Sequence, residues 1–509
     1  MAWTGAALTA LVLFAVLGPL LAVALAAEAP GRLGTADLAA IRFTLLQAAL
    51  SALVSVLGAI PVARALARRR FSGRRLFVAL MGAPFILPVI VAVLGLLAIF
   101  GRAGWLNAGL EAAGAGTISI YGLTGIVLAH AFLNIPLAVR LILQAWLSVP
   151  SERIRLAASL GFSDADMRRH FERPILRAVL PGAFMIIFLI CTTSFAVALI
   201  LGGGPRATTV ELAIYQAFRF EFDLGRAALL GLIQAGICVA AGLLALTLMR
   251  GGDMGGGLDR PPLDWPGDTS RARLMDGIAI AGAGAFLLLP LGAVLLEGVA
   301  AVLGMPALVW EAALRSIIVA LGSTALAVGL AVPVAIFAAR GRGWVETLAA
   351  LSISVSPLVM GTGLFLILFP VADPVALALP VTGFVNALVA LPFILRALIP
   401  ELRRAEATQG RLADALGLTG LARLRLAIFP RLRRPLGFGA GLAAAFSMGD
   451  LGVIALFSAP GAATLPMEMY RLMGSYRTDD AEGAAVLLML LALGMFWVFD
   501  RGGRVDAGS

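Results

Sequence analysis

Leu156–Pro174 reads LAASLGFSDADMRRHFERP and carries three acids, three arginines and a histidine, in a chain of 509 residues that is 61% hydrophobic. Leu412–Pro430 reads LADALGLTGLARLRLAIFP and repeats its skeleton: small residues, a glycine, and a proline thirteen residues after the glycine. Each copy is expected to begin with a short helical segment closed by Gly161 or Gly417, where the backbone turns left-handed and a Cβ is disfavoured. A second short helix follows. Ser163 with Asp166 three residues on has the capping-box pattern that satisfies free amide donors, and Thr419 caps alone in the second copy. Pro174 and Pro430 mark the exit into the next apolar run.

The mean hydropathy of +0.99 and the 13% content of charged residues give the solvent around these two polar elbows. Apolar runs of about 20 residues recur, the length a helix needs to cross the hydrocarbon core, so the chain reads as an all-α polytopic membrane protein. All 39 basic residues are Arg, and they lie between the apolar runs instead of on a basic surface interleaved with aromatics. That distribution excludes a nucleic-acid partner despite the net charge of +10, and the lack of any Lys excludes a P-loop, so the chain is not an enzyme that hydrolyses nucleotide itself. Cys191 and Cys238 sit inside apolar runs as small hydrophobes. His130 and His170 stand apart from each other and from other ligand types, so no metal site and no catalytic centre is expected.

Apolar periods near 5–27, 43–67, 76–100, 121–146, 178–201 and 227–249, then 276–300, 311–339, 345–370, 379–400, 436–457 and 483–499, predict about 12 transmembrane helices. The first exceeds an ordinary signal-peptide core and lacks a positive segment before it, which favours a retained helix. With the N-terminus inside, 30 Arg fall in cytoplasmic loops and adjoining helix ends and 9 on the opposite side. The Gly- and Pro-rich stretch 251–273 cannot bury a core and is read as a cytoplasmic linker between halves 1–250 and 274–509. The halves repeat. Pro174 and Pro430, Gly161 and Gly417, Pro136 and Pro392, and Arg140 and Arg396 are each 256 apart; Pro61 and Pro333 are 272 apart, and Tyr215 and Tyr470 are 255 apart. A nearly constant offset predicts two parallel six-helix halves about a pseudo-two-fold axis, with a pathway between them.

An isolated basic loop needs no function beyond solvation, but the same Gly-to-Pro spacing twice, with Ala157 and Ala158 or Ala413 before the glycine, fits a docking element for a partner present in two copies. The pattern resembles the EAA loop of ABC-importer permeases, here near 152–174 and 408–430. Leu156 and Leu412 stand where Glu is common in that family, and Asp414 replaces its second Ala. Further stretches, ARALARRRFSGRRLF from Ala63, LAHAFLNIPLAVRLILQAW from Leu128, LGGGPRATTVELAIYQA from Leu201, SMGDLGVIALF from Ser447 and TLPMEMYRLMGSYRTDDAEGA from Thr464, are similar to permeases of bacterial thiamine, or thiamine pyrophosphate, importers.

That resemblance implies the type I ABC-importer permease fold, a bacterial inner-membrane location among lipid, and two partners. Two copies of a separate ATPase would dock on Leu156, Ala157, Ala158, Gly161, Pro174 and on Leu412, Ala413, Asp414, Gly417, Pro430. A periplasmic binding protein would deliver thiamine or its phosphate esters. ATP and Mg would sit on the ATPase, and no cofactor on this chain. Ferric iron is the alternative cargo in permeases of the same fused build, and a twelve-helix secondary transporter is the rival class, which leaves the duplicated elbow without a purpose.

The pathway has fewer sequence signals. Asp450, inside an apolar run, is a functional candidate because an intramembrane carboxylate is costly; it would meet a cationic ring, with Phe446 adding a cation-π contact, or it would bond between helices. Ser447 neighbours it, and the first-half counterpart offers Thr192, Thr193 and Ser194 without an acid. The loops after the fifth and eleventh runs suit short re-entrant or surface helices, with Arg206, Glu211, Tyr215, Tyr470 and Tyr476 as candidates to touch the binding protein.

Overall fold

The computed structural model describes residues 2–27, 33–248, 269–339, 341, 345, 355–457 and 461–504. Among them the chain is helical throughout and contains no strand. Most of the expected linker lies outside the described residues. The first half comprises α1 (Ala2–Ala26), α2 (Thr35–Arg68), α3 (Arg74–Leu80), α4 (Val89–Phe100), α5 (Trp105–Ala112), α6 (Leu123–Leu147), α7 (Ser151–Ser159), α8 (Asp164–Met167), α9 (Arg173–Thr192), α10 (Phe195–Leu201), α11 (Val210–Gln216) and α12 (Leu224–Leu248). The second comprises α13 (Ser270–Gly298), α14 (Ala307–Ala339), α15 (Pro357–Leu368), α16 (Ala378–Ala415), α17 (Gly420–Arg423), α18 (Phe429–Met448), α19 (Gly452–Phe457), α20 (Leu465–Gly474) and α21 (Thr478–Gly503).

Eleven helical stretches among the described residues are long and apolar enough to cross a bilayer. Residues 346–354 of the expected span at 345–370 lie outside the description, and its described part contains the 12-residue α15. Other expected spans are interrupted. The run 76–100 breaks between α3 and α4, where Pro84 and Pro88 cannot continue a helix; 178–201 breaks at Thr193–Ser194; and 436–457 breaks at Gly449–Leu451. Broken spans are tolerated at membrane depth where protein surrounds the freed backbone groups.

The packing repeats as the sequence does. α2, α6 and α9 form one bundle and α14, α16 and α18 the other, with α12 and α21 flanking in the same way. The first helix of each half crosses to the opposite half: α1 packs on α14 and α15, and α13 packs on α2 and α4. Glycine makes both crossings close. A Cβ at Gly363 would overlap the Pro19 carbonyl and one at Gly95 the Pro290 carbonyl, so the absent side chains let backbones touch where no hydrophobic drive separates helix from lipid. On its other side α1 exposes Leu11, Phe14, Leu17, Leu21 and Leu25, a helical stripe suited to acyl chains, while Val16 and Val23 are buried.

Candidate functional site

In the first elbow α7 ends in a glycine cap. The Phe162 amide donates to the Ala157 carbonyl (3.0 Å) and the Gly161 amide to Ala158 (3.1 Å), with Gly161 at φ +70°. Leu418 donates to Ala413 (2.9 Å), Gly417 to Asp414 (3.1 Å), and Gly417 has φ +64° in the second. The first copy adds the expected capping box: the Ser163 amide donates to Asp166 Oδ2 (3.0 Å) and the Asp166 amide to Ser163 Oγ (3.3 Å). Both elbows then pass through one π-helical turn, Arg168–Glu172 and Leu424–Ile428. Arg173 donates to the Arg168 carbonyl and Phe429 to Leu424, five residues back, immediately before Pro174 and Pro430. Proline lacks the amide that would close an ordinary turn and its ring crowds the carbonyl four residues back, so the wider turn relieves both at once.

The two surfaces match. Leu156 is 59% exposed and Leu412 60%, while Ala157 and Ala413 are buried and Ala158, Asp414, Pro174 and Pro430 are exposed. Their supports differ. The first elbow packs on its own small core of Ile154, Ala157 and Met167, and two arginines of α2 hold it to the membrane body. Arg64 Nε donates to Glu172 Oε1 (3.0 Å), Arg68 Nη2 to Glu172 Oε1 (2.5 Å) and to Asp164 Oδ1 (3.2 Å), and Arg168 pairs with Asp164. Next along the chain, Arg69 pairs with Asp276 of α13 (2.7 Å), linking the end of α2 to the other half. In the second copy Ile336, Gly420 and Ile428 stand where Arg64, Asp164 and Glu172 do in the first. There Arg423 clamps the elbow internally, to Glu406 (2.6 Å) and Asp414 (2.5 Å). The expected short helix before Gly417 is also not separate. α16 runs unbroken from the membrane through Ala415, because no proline stands at position 406, the counterpart of Pro150.

The span breaks at Thr193–Ser194 and Gly449–Leu451 coincide with the pathway candidates. Asp450 caps α19, with Oδ1 accepting from the Gly452 amide (3.2 Å), and its buried Oδ2 accepts no hydrogen bond among the described residues. Ser447 Oγ accepts from Asn386 Nδ2 (3.1 Å). Ser194 is half-buried at the other break, but the Thr192 and Thr193 hydroxyls donate to carbonyls of their own helix, Phe188 (2.7 Å) and Leu189 (3.3 Å). Those two hydroxyls therefore bond within their own helix end. Phe446 joins two rings that the sequence did not single out: Phe446 lies 5.2 Å from Phe85 and 5.2 Å from Phe393, and Phe85 5.9 Å from Phe393. Phe85 comes from the first half and the others from the second, so this trio sits in the seam.

In the loops after the fifth and eleventh runs, α11 and α20 are the expected short helices. Thr44 Oγ1 of α2 accepts from the first amide of α11 (Val210, 2.8 Å), and Ser316 Oγ of α14 accepts from the first amide of α20 (Leu465, 2.8 Å), so one capping bond occurs in both halves. Arg206 and Tyr476 are exposed. Glu211 and Tyr215 are corrections to the surface expectation. Glu211 is wholly buried with Oε1 accepting from Gln234 (3.1 Å), and Tyr215 packs edge-on to Phe195. Burial pushes the Tyr215 and Tyr470 phenols up.

No family model matches the chain. It is similar to the thiamine transport system permease protein ThiP of Escherichia coli K12, 40% identical over 474 residues, 91% of this chain and 88% of that protein. Similar too are ThiP of Brucella abortus strain 2308, 39% identical over 472 residues (90% and 87%), and ThiP of Haemophilus influenzae, 33% identical over 481 residues (90% and 87%). Likeness of this degree along nearly the whole of both chains, on a helical body whose described residues include eleven helices long and apolar enough to cross a membrane, shows that the chain belongs to the ThiP family of thiamine transport system permeases.

Proposed function

We propose that the chain is the permease subunit of a bacterial inner-membrane ABC importer that carries thiamine and its phosphate esters into the cytoplasm. The substrate reading is supported by the names of the relatives. The observation that carries the mechanism is the duplicated elbow: two exposed leucines, two left-handed glycines and two π turns in matching positions, each leading straight into a membrane helix. Two copies of a separate ATPase, which holds ATP and Mg, seat on these elbows; this chain binds no cofactor. Closing of the ATPase pair draws the elbows together. The push enters α9 through the turn before Pro174 and α18 through the turn before Pro430, and on the first side it reaches α2 through Arg64 and Arg68 as well.

Both driven helices end at a break, beside Ser194 and at Asp450, so a rotation of α9 or α18 displaces the seam. A binding protein delivers substrate at the outer face, where Arg206 and Tyr476 are exposed and the Tyr215–Tyr470 pair closes the way in. Inside, Asp450 and Phe446 meet the cationic thiazolium ring. Proteoliposomes holding the chain, the ATPase and the binding protein should take up labelled thiamine only with ATP. Uptake without the ATPase would overturn the coupling, and failure to take up thiamine or its esters with all parts present would overturn the substrate.

A further inference from the structure

The halves share one more matched pair, Arg140 of α6 and Arg396 of α16, well inside their membrane helices; Arg140 is seven residues, about 10 Å, from the end of α6. Neither has a hydrogen bond or ion pair among the described residues. A lone arginine at such depth is costly against lipid and stable facing water or a charged ligand. The helix faces show which. Around Arg396, Ile394, Leu395, Leu398 and Ile399 are buried, while Val389, Phe393, Arg396 and Pro400 form a strip of more open positions at helical spacing. α6 has the same strip, Leu133, Leu137, Arg140 and Gln144, between buried Ala138, Val139, Ile142 and Leu143.

Both strips face the seam. Phe393, one turn before Arg396, touches Phe85 of the other half, and the Arg140 guanidinium lies where a side chain on Gly82 would begin, three residues before Phe85. From the far side toward the elbows the seam thus holds the Asp450 carboxylate, one oxygen of which is buried and caps no helix amide, then three aromatic rings, then the two guanidiniums. This order of charge suits a ligand with a cationic aromatic ring at one end and a phosphate at the other. We propose that Arg140 and Arg396 form a phosphate-reading subsite on the elbow side of the aromatic trio, which admits the phosphate esters of the substrate as well as the free alcohol; this rests on the reading of the seam as the transport pathway. Guanidinium suits the task because its planar fork meets two phosphate oxygens at once.

The test compares uptake of thiamine, thiamine monophosphate and thiamine diphosphate by the assembled transporter in proteoliposomes, for the parent and for R140Q, R396Q and the double variant. Each single variant should lower ester uptake about ten-fold, as expected for the loss of a charge-assisted hydrogen bond, with thiamine uptake within about two-fold of the parent. An equal fall for all three cargoes, an unchanged ester-to-thiamine ratio, or a parent that carries thiamine and no ester would overturn the subsite. Vesicles of phosphatidylcholine alone and with phosphatidylglycerol should agree; an effect seen only with the anionic lipid would make the arginines headgroup ligands and overturn it too. If the parent moves none of the three, the substrate reading fails by itself. Calorimetric binding of inorganic pyrophosphate to the purified complex then decides the subsite, supported if binding is lost in the double variant and overturned if it persists or is absent in the parent.

Discussion

Between Leu147 and Ser151 the chain leaves the membrane and starts again as a separate helix, whereas its counterpart passes from membrane to elbow inside the 38-residue α16. The first elbow, jointed at Pro150, is held by an ion cluster reaching back to α2; the second is a rigid extension with a clamp of its own. Their outward faces nevertheless agree, down to the exposure of Leu156 and Leu412. What has stayed alike after duplication is the surface a partner would touch and the backbone turns that aim it. What has drifted is the means of bracing it, and either bracing gives a stiff connection to a membrane helix.

The sharpest way to break this likeness is to strike the shared feature. Gly161→Arg or Gly417→Arg forces a side chain into φ +70° or +64°, a cost of about 1–2 kcal/mol before any clash with a docked partner. Either change should lower ATP-driven uptake at least ten-fold, roughly the factor for 1.4 kcal/mol, with the spans still inserted. Uptake and ATP hydrolysis measured together check this, and normal uptake in both variants would remove the elbows from the mechanism.

The second test should separate the copies. Arg68 and Glu172 are both buried at the root of the first elbow, 5% and 8% exposed at the side chain. Arg68→Ala leaves the buried Glu172 carboxylate with Arg64 alone, so the cost should stay below the roughly 3–5 kcal/mol of an uncompensated buried charge. A marked drop in thermal midpoint is expected, partly restored by adding Glu172→Gln. Arg68→Ala and Glu172→Gln each melting at the parent midpoint would show the cluster to be ornamental.

How much of this was readable beforehand follows from the range of each interaction. The elbow glycines, the Ser163–Asp166 box and the exit prolines are local patterns a few residues long, and they stand where the sequence places them. The eleven described spans were legible from apolar length alone. The Arg68–Glu172 pair joins residues 104 apart and the Arg69–Asp276 pair residues 207 apart, with no local signal beyond the spacing of Arg64 and Arg68 by one helical turn. Glu211 read as a surface contact because a polar residue in an outward loop usually is one. The fold instead turns α11 inward and gives the carboxylate Gln234. The crossing of α1 and α13 between halves rests on Gly95 and Gly363, two glycines among 58, and only the packing distinguishes them.

Exchanging the bracing is the third test. Glu406→Pro places in α16 the break that Pro150 makes in the first copy, at a cost of about 3 kcal/mol for proline inside a helix. It should loosen the second elbow and lower uptake, while Pro150→Ala should be nearly silent, because the first elbow is held by its ions and not by helix continuity. Glu406→Pro also removes a partner of Arg423, so Arg423→Ala is the companion; with Asp414 67% exposed at the side chain, that clamp should contribute no more than about 1 kcal/mol. A loss of uptake in Arg423→Ala as large as in Glu406→Pro would assign the rigidity of the second elbow to the clamp and not to the helix.

The smallest effect concerns a device that only the first elbow is seen to have. Hydrogen bonds from the Ser163 hydroxyl and amide hold the Asp166 carboxyl below its ordinary range, with Arg169 and His170 assisting. A depressed value in the folded state means that the box contributes above the unfolded carboxyl value near pH 4 and loses that contribution as pH falls through the folded value. Hydrogen-exchange protection of residues 163–167, corrected for intrinsic rate, should therefore be level from neutral pH to about 5 and decline below it. Ser163→Ala should lower the plateau and flatten the decline, because Asp166 then has less reason to stay ionised. The amides after Gly417 should lack this acid-dependent step, since Thr419–Ala422 has no carboxylate to titrate; an equal step there would mean that the pH response comes from the surrounding charge and not from the cap.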